Sequence, residues 1–192
     1  PTLMNNCILR WIFYWFATFC LFIMGWKAKG KVPAIKKFIL IAAPHSSNWD
    51  FVFFLLIIFK FRIHAHWMGK HTMFKWPFKV LLEKLGGIPV YRSEKTNIVQ
   101  SMTDSFKKSK ELIITIAPSG TRKKVVKWKT GFYHIACQAK VPIILGFIDY
   151  KKKIAGIGLV FNPCYDINAD MKLIKAFYSD FLGRYPDQPS TN

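Results

Sequence analysis

"FILIAAPHSSNWDFVFFLLIIF", Phe38 to Phe59, governs how the rest of the chain is read. Phe38 to Ala42 is a short, unbroken apolar run, the length of a buried strand and too short for a helix. "PHSSNWD" interrupts it. Ser46 or Ser47 suits a helix N-cap, and Asp50 suits the positive end of a helix dipole. "FVFFLLIIF", Phe51 to Phe59, is then apolar all round, as in a helix buried in a core or facing a membrane. Its nine residues are too few to cross a bilayer. A buried strand turning directly into a buried helix is the repeating unit of an α/β sheet.

The alternation continues toward the C-terminus. Arg62 to Trp67 alternates like a strand, and Phe74 to Leu85 has helical spacing that stops at Gly86-Gly87. "IPVYR", Ile88 to Arg92, is a short strand, and Thr96 to Lys108 is an amphipathic helix. Leu112 to Ala117 is a strand, and Gly131 to Ala139 a helix. "VPIILGFIDY" from Val141 and "KIAGIGLVF" from Lys153 form two strands around a Lys-rich turn, and Met171 to Leu182 closes as a helix. The expected fold is α/β: one domain, residues 31–185, with a mixed central sheet flanked by helices. Residues 1–30 form an N-terminal hydrophobic membrane-anchoring helix with a Lys-rich junction, and 186–192 a loose tail.

The composition points to an anionic surface. Apolar residues make up 52% of the 192, yet the formal net charge is +19. Nucleic acid and anionic lipid are the usual partners of so basic a chain. The N-terminus separates them. Trp11 to Trp26, "WIFYWFATFCLFIMGW", carries no charge. As a helix it would be roughly 24 Å long, short of the ~30 Å hydrocarbon core. Adding Leu3 to Leu9, with Arg10 snorkelling to an interface, would reach across. Trp11, Tyr14 and Trp15 toward one end and Trp26 at the other fit interfacial anchors. Lys27, Lys29, Lys31, Lys36 and Lys37 follow, so the positive-inside rule puts the remainder on the cytoplasmic face, the inner membrane if the source is bacterial. A signal peptide would carry its charge before the apolar core and a small-residue cleavage site after it; this segment does the reverse. We expect an anchor that spans or lies in the interface, and no nucleic-acid partner. Cys7, Cys20, Cys137 and Cys164 show no paired spacing and are expected to be reduced packing residues.

Chemistry can be sought in few places. If His45 lies in the turn before the helix, its ring can fold back so that Asp50 accepts the Nδ1–H bond and Nε2 serves as a base. A helix start with ordinary capping explains the same residues, and spacing alone does not choose. Ser119, Gly120, Thr121 and Arg122 follow a strand: glycine allows close backbone approach, threonine offers a hydroxyl, and arginine offers a planar fork for phosphate oxygens. No G-x-S-x-G elbow surrounds Ser119, which argues against a serine hydrolase. Arg92 ends another strand and would point to the same sheet edge, where ligands of open α/β sheets gather. His64, His66 and His71 lie near one another, but no carboxylate or cysteine joins them, so no metal site is expected.

In order and spacing these stretches resemble the glycerolipid acyltransferases of the lysophosphatidic acid (1-acyl-sn-glycerol-3-phosphate) acyltransferase type. "HSSNWD" looks like that family's His-x4-Asp block, and "GGIPVYR" its glycine-led strand ending in Arg. "PSGTR" is similar to its Pro-Glu-Gly-Thr-Arg, and "VPIIL" to its Val-Pro strand. "GKHTMFKWPF" from Gly69 and "WKTGFYHIA" from Trp128 also fit, and the likeness covers roughly residues 38–148. The resemblance implies a glycerol-3-phosphate acyltransferase-like fold. It implies acyl transfer from acyl-CoA or acyl carrier protein to a lysophospholipid hydroxyl in phospholipid biosynthesis, without metal or cofactor. It implies that His45 is the base and Asp50 its orienter, with Arg92, Ser119, Gly120, Thr121, Arg122 and Lys70 binding substrate. Two residues depart from the pattern: Ser119 replaces the usual Glu, and Tyr91 stands where an Asp often precedes the Arg. Both changes make the pocket more positive. They favour, as alternatives, another lysolipid acceptor or a non-catalytic lipid-binding relative.

Overall fold

The computed structural model describes residues 2–91, 95–121 and 128–185, the side chains of 95–97 excepted. The tail from Pro186 lies outside the described residues, as do Arg92 and Arg122.

The stretch from Phe38 to Phe59 forms strand β2 (Lys37–Ala43) and helix α2 (Trp49–Lys60). Among the described residues seven strands make one sheet, in the order β1-β7-β6-β2-β5-β3-β4. They are β1 (Lys27–Lys29), β2, β3 (Ala65–Lys70), β4 (Gly87–Val90), β5 (Leu112–Ile116), β6 (Ile143–Asp149) and β7 (Ile154–Phe161). β6, β2, β5, β3 and β4 run parallel, while β7 is antiparallel to β6 and parallel to β1, so the sheet is mixed, as expected.

Alternation along β2 assigns its faces. Phe38 and Leu40 point into a cluster with Phe53, Leu56, Ile57 and Phe59 of α2. Ile39, Ile41 and Ala43 point into the opposite cluster, under helices α4 (Lys95–Lys108), α5 (Gly131–Ala139) and α6 (Ile167–Tyr178). Burial on both faces is why β2 reads as a continuous apolar run. Each fully buried side chain of this kind is worth about 1.5–3 kcal/mol, so Ile39→Ala, at a residue with no exposed surface, would cost about 2–5 kcal/mol.

Helix α1 (Cys7–Ile23) packs on α2: Phe13 stacks on Phe59 at 4.6 Å, and Lys60 Nζ donates to Thr18 Oγ1 at 2.9 Å. Its opposite side stays exposed through Ile8, Trp11, Ile12, Trp15, Phe16, Phe19, Phe22 and Ile23. Those positions follow helical spacing, so the helix is apolar on two faces, one packed and one bare. The longer helix expected from Leu3 does not form. Asn6 caps α1 by accepting from the Ile8 and Leu9 amides, which starts the helix at Cys7. Among the described residues no helix is long and apolar enough to cross a membrane.

Other boundaries differ locally. β3 begins at Ala65 rather than Arg62, because Arg62 takes a left-handed conformation (φ 54°) after α2 and breaks the extended run. The helix expected over Phe74 to Leu85 is confined to α3 (Lys79–Lys84), since Pro77 lacks the amide a longer helix would need. It does stop at Gly86, whose φ is 86°. α6 starts at Ile167, four residues before Met171, because Asp166 caps it through the Asn168 and Ala169 amides. α2 has Asn48 at its N-cap, but its side chain does not cap the helix; Ser47 Oγ instead accepts from the Trp49 amide at 3.2 Å.

Candidate active site

The C-terminal ends of β2, β5, β3 and β4 fall on one edge of the sheet because the four strands are parallel. His45 follows β2, Ser119 to Thr121 follow β5, Lys70 ends β3, and Tyr91 follows β4. This edge of an open α/β sheet is where backbone ends and helix N-termini face a ligand.

Asp50 organises the first turn of α2 and is buried. Its Oδ2 accepts from the Ser46 amide at 2.6 Å and the Ser47 amide at 2.7 Å. The same oxygen lies 3.4 Å from His45 Nδ1, so the imidazole, in the turn before the helix, folds back onto the helix start. That contact is long for a hydrogen bond, and such contacts commonly tighten only with substrate bound. Oδ1 accepts from the Tyr150 hydroxyl at 2.6 Å. Burial pushes the Asp50 carboxyl up, but His45, the Tyr150 hydroxyl and the Ser47 and Ser46 amides together hold it below its ordinary value. The carboxylate is therefore charged, buried and held on both oxygens.

The second element is the turn after β5. Gly120 N donates to Ala117 O at 3.0 Å, and Lys129 N to Pro118 O at 2.9 Å. Ser119 is only 2% exposed, and its hydroxyl donates to Thr121 O at 2.8 Å, closing the turn on itself. Gly120 has φ 61°, and a Cβ there would meet the Lys129 side chain, with Nζ at 2.9 Å. Thr121 is half-buried beside it, and Lys70 is exposed on the same edge. His45 and Asp50 are thus in contact, while Lys70, Ser119, Gly120 and Thr121 share their edge.

Sequence reasoning missed several neighbours. Tyr150 reaches Asp50 across a hundred positions of chain. The segment after α6 packs on the His45 turn: Arg184 N donates to Ser46 Oγ at 3.0 Å, and the Arg184 guanidinium lies over Trp49 at 5.6 Å. Lys129 against Gly120 had one available signal, the basic "WKTG" after the turn. Among the described residues no group of three or more His, Cys, Asp or Glu could hold a metal ion. The rings of His64 and His66 lie 5.4 Å apart.

A family model described as Acyltransferase matches residues 27–145, more than half of the chain. A search of curated proteins finds no match. Among solved structures the chain is similar to the crystal structure of the 1-acyl-sn-glycerophosphate (LPA) acyltransferase PlsC from Thermotoga maritima. That likeness has a TM-score of 0.63 at 16% identity and covers 88% of this chain and 76% of that one. At such identity it is the fold that is shared.

Proposed function

Since the chain belongs to the acyltransferase family and is an O-acyltransferase, we propose that it moves a fatty acyl group from acyl-CoA or acyl carrier protein to the free hydroxyl of a lysophospholipid. The acceptor proposed first is 1-acyl-sn-glycerol-3-phosphate, giving phosphatidic acid. The observation that carries the reading is His45 folded onto a buried, charged Asp50 at the C-terminal edge of the sheet. Asp50 fixes the ring with Nδ1 toward the carboxylate, which leaves Nε2 to take the acceptor's proton. The oxygen attacks the thioester carbonyl and a C–O bond forms. The C–S bond then breaks, and the leaving thiolate recovers the proton from His45. Gly120, Thr121 and Lys70, with Arg92 and Arg122 beyond the described residues, would hold the acceptor phosphate.

The acyltransferase chemistry belongs to residues 31–185, and residues 1–30 attach it to the membrane. The bare apolar face of α1, followed by Lys27, Lys29 and Lys31, supports a helix lying in the interface of an anionic leaflet on the cytoplasmic side. That position would bring the lipid acceptor to the enzyme without crossing the bilayer.

The test is acyl transfer from labelled donor to lysophosphatidic acid and to a panel of other lysolipids, with wild type, His45→Ala and Ser119→Glu compared. We expect product with wild type and a loss of at least about a thousandfold in His45→Ala. Absence of product with every acceptor would end the reading, and full activity in His45→Ala would end the mechanism. A second reading, the same chemistry on another lysolipid, is favoured by Ser119 and Tyr91, which leave the pocket without two carboxylates common in the family. A preference for a different headgroup in the panel would select it.

A further inference from the structure

We infer that Tyr150 is a positioning residue for the His45–Asp50 pair: its hydroxyl holds Asp50 Oδ1 so that Oδ2 stays aimed at the imidazole. The inference rests on the acyl-transfer reading above and adds a third member to the hydrogen-bonded group that orients its base. Tyr150 sits where β6 ends, and its place is over-determined. Its ring stands edge-on to Trp26 at 5.0 Å and to Phe53 at 5.7 Å, and its amide donates to Leu182 O at 2.9 Å. The ring cannot swing away without opening the cluster between the helical layer and the sheet.

Among the described residues Tyr150 is the one hydrogen-bond donor to Oδ1, while Oδ2 is shared by two amides and His45. Released from Tyr150, the carboxylate is restrained through Oδ2 alone, by the Ser46 and Ser47 amides, and the contact at 3.4 Å loses one of its supports. The direction of the bond is settled by charge. Burial and the Asp50 carboxylate both push the Tyr150 phenol far up, so it stays protonated and donates. Among the described residues, the titratable and charged groups that bear on the pair are few. They are His45 on its own turn, Tyr150 from the β6–β7 connection, and Arg184 and Tyr185 from the segment after α6.

The consequence is a tuned base. A donor on Oδ1 withdraws charge from the carboxylate and so weakens its pull on a protonated His45. Removing that donor concentrates negative charge next to the ring, so the acid limb of the activity profile should move up. A structural prop would lower activity evenly and leave the pH profile in place.

The experiment measures kcat, KM and the pH dependence of kcat/KM for full-length wild type, Tyr150→Phe, Asp50→Asn and His45→Ala, each checked for folding by circular dichroism. Tyr150→Phe keeps the ring. We expect kcat to fall about tenfold with KM for both substrates little changed, and the acid limb to move up by about half a pH unit. Replacing Tyr150 with 3-fluorotyrosine keeps the shape and strengthens the donor, so that limb should move down; this variant carries the test if Tyr150→Phe does not fold. A limb that stays put in both, while His45→Ala is inactive, overturns the role of Tyr150 and leaves the acyltransferase mechanism standing. Activity retained in His45→Ala overturns both together.

Discussion

Replacing Phe19 and Phe22 with serine would test whether α1 is an interfacial anchor. The two side chains are 62% and 82% exposed, and neither belongs to the cluster in which Phe13, Cys20 and Met24 pack. Their loss should therefore leave the fold intact. A whole Phe side chain is worth about 1.5–3 kcal/mol on leaving water, so the exposed parts of these two, about one and a half Phe equivalents, supply about 2–4 kcal/mol to a lipid phase. That is about a 30- to 1,000-fold drop in partitioning. The remaining bare residues, Trp11, Ile12, Trp15 and Phe16 among them, still bind, so the expectation is weakened association rather than release. The assay is co-sedimentation with vesicles of neutral and of anionic lipid, across a lipid titration at low and high salt. Wild type should favour anionic vesicles, with each junction lysine near the surface adding about 1 kcal/mol and salt removing that share. The double variant should show the drop on both vesicle types. If it partitions like wild type on both, the bare face of α1 does not contact lipid and the anchor reading fails.

Two further substitutions probe the site. Gly120→Ala places a methyl at φ 61° against the Lys129 side chain; the left-handed conformation costs about 1–2 kcal/mol, so the melting temperature should drop by about 2–8 °C and KM for the acceptor should rise, and unchanged melting and KM would refute the geometry. Asp50→Asn addresses pH. Because the folded state holds this carboxyl below its ordinary value, its stabilisation is present above about pH 4 and is lost as pH falls through the folded pKa. The variant should melt lower than wild type near neutrality, with the difference shrinking toward acid. A difference that is constant with pH would contradict the assignment.

Legibility followed burial. β2, β5 and β6 are covered on both faces and announced themselves as apolar runs, and α5 matches its expected bounds from Gly131 to Ala139. β1 was invisible. Lys-Ala-Lys has no strand pattern, and it joins the sheet through backbone pairing with β7 beside Gly156, where a Cβ would lie 1.8 Å from Lys29 O. His45 and Asp50 were readable because five positions of chain and one helix start bring them together. Tyr150 was not, because only the β2–β6 pairing carries the end of "VPIILGFIDY" to the start of α2. Local chemistry leaves a mark in sequence, and contacts made through a sheet do not.

Ser119 shows how such a contact changes the meaning of a substitution. By motif it is a missing carboxylate, which suggests that Ser119→Glu simply restores the family's usual turn. The geometry argues otherwise. The serine is buried and donates to Thr121 O, a bond that a carboxylate cannot make because both partners would be acceptors. A glutamate must leave that place, and among the described residues the nearby cation it would meet is Lys129, whose side chain already lies against Gly120. Drawing Lys129 onto residue 119 would pull positive charge away from the face of the turn that Gly120 and Thr121 present. Ser119→Glu should therefore shift acceptor preference in the lysolipid panel toward less anionic headgroups rather than raise the rate on all acceptors alike. A uniform gain across the panel would mean that the carboxylate reaches the substrate directly and that the turn rearranges to allow it.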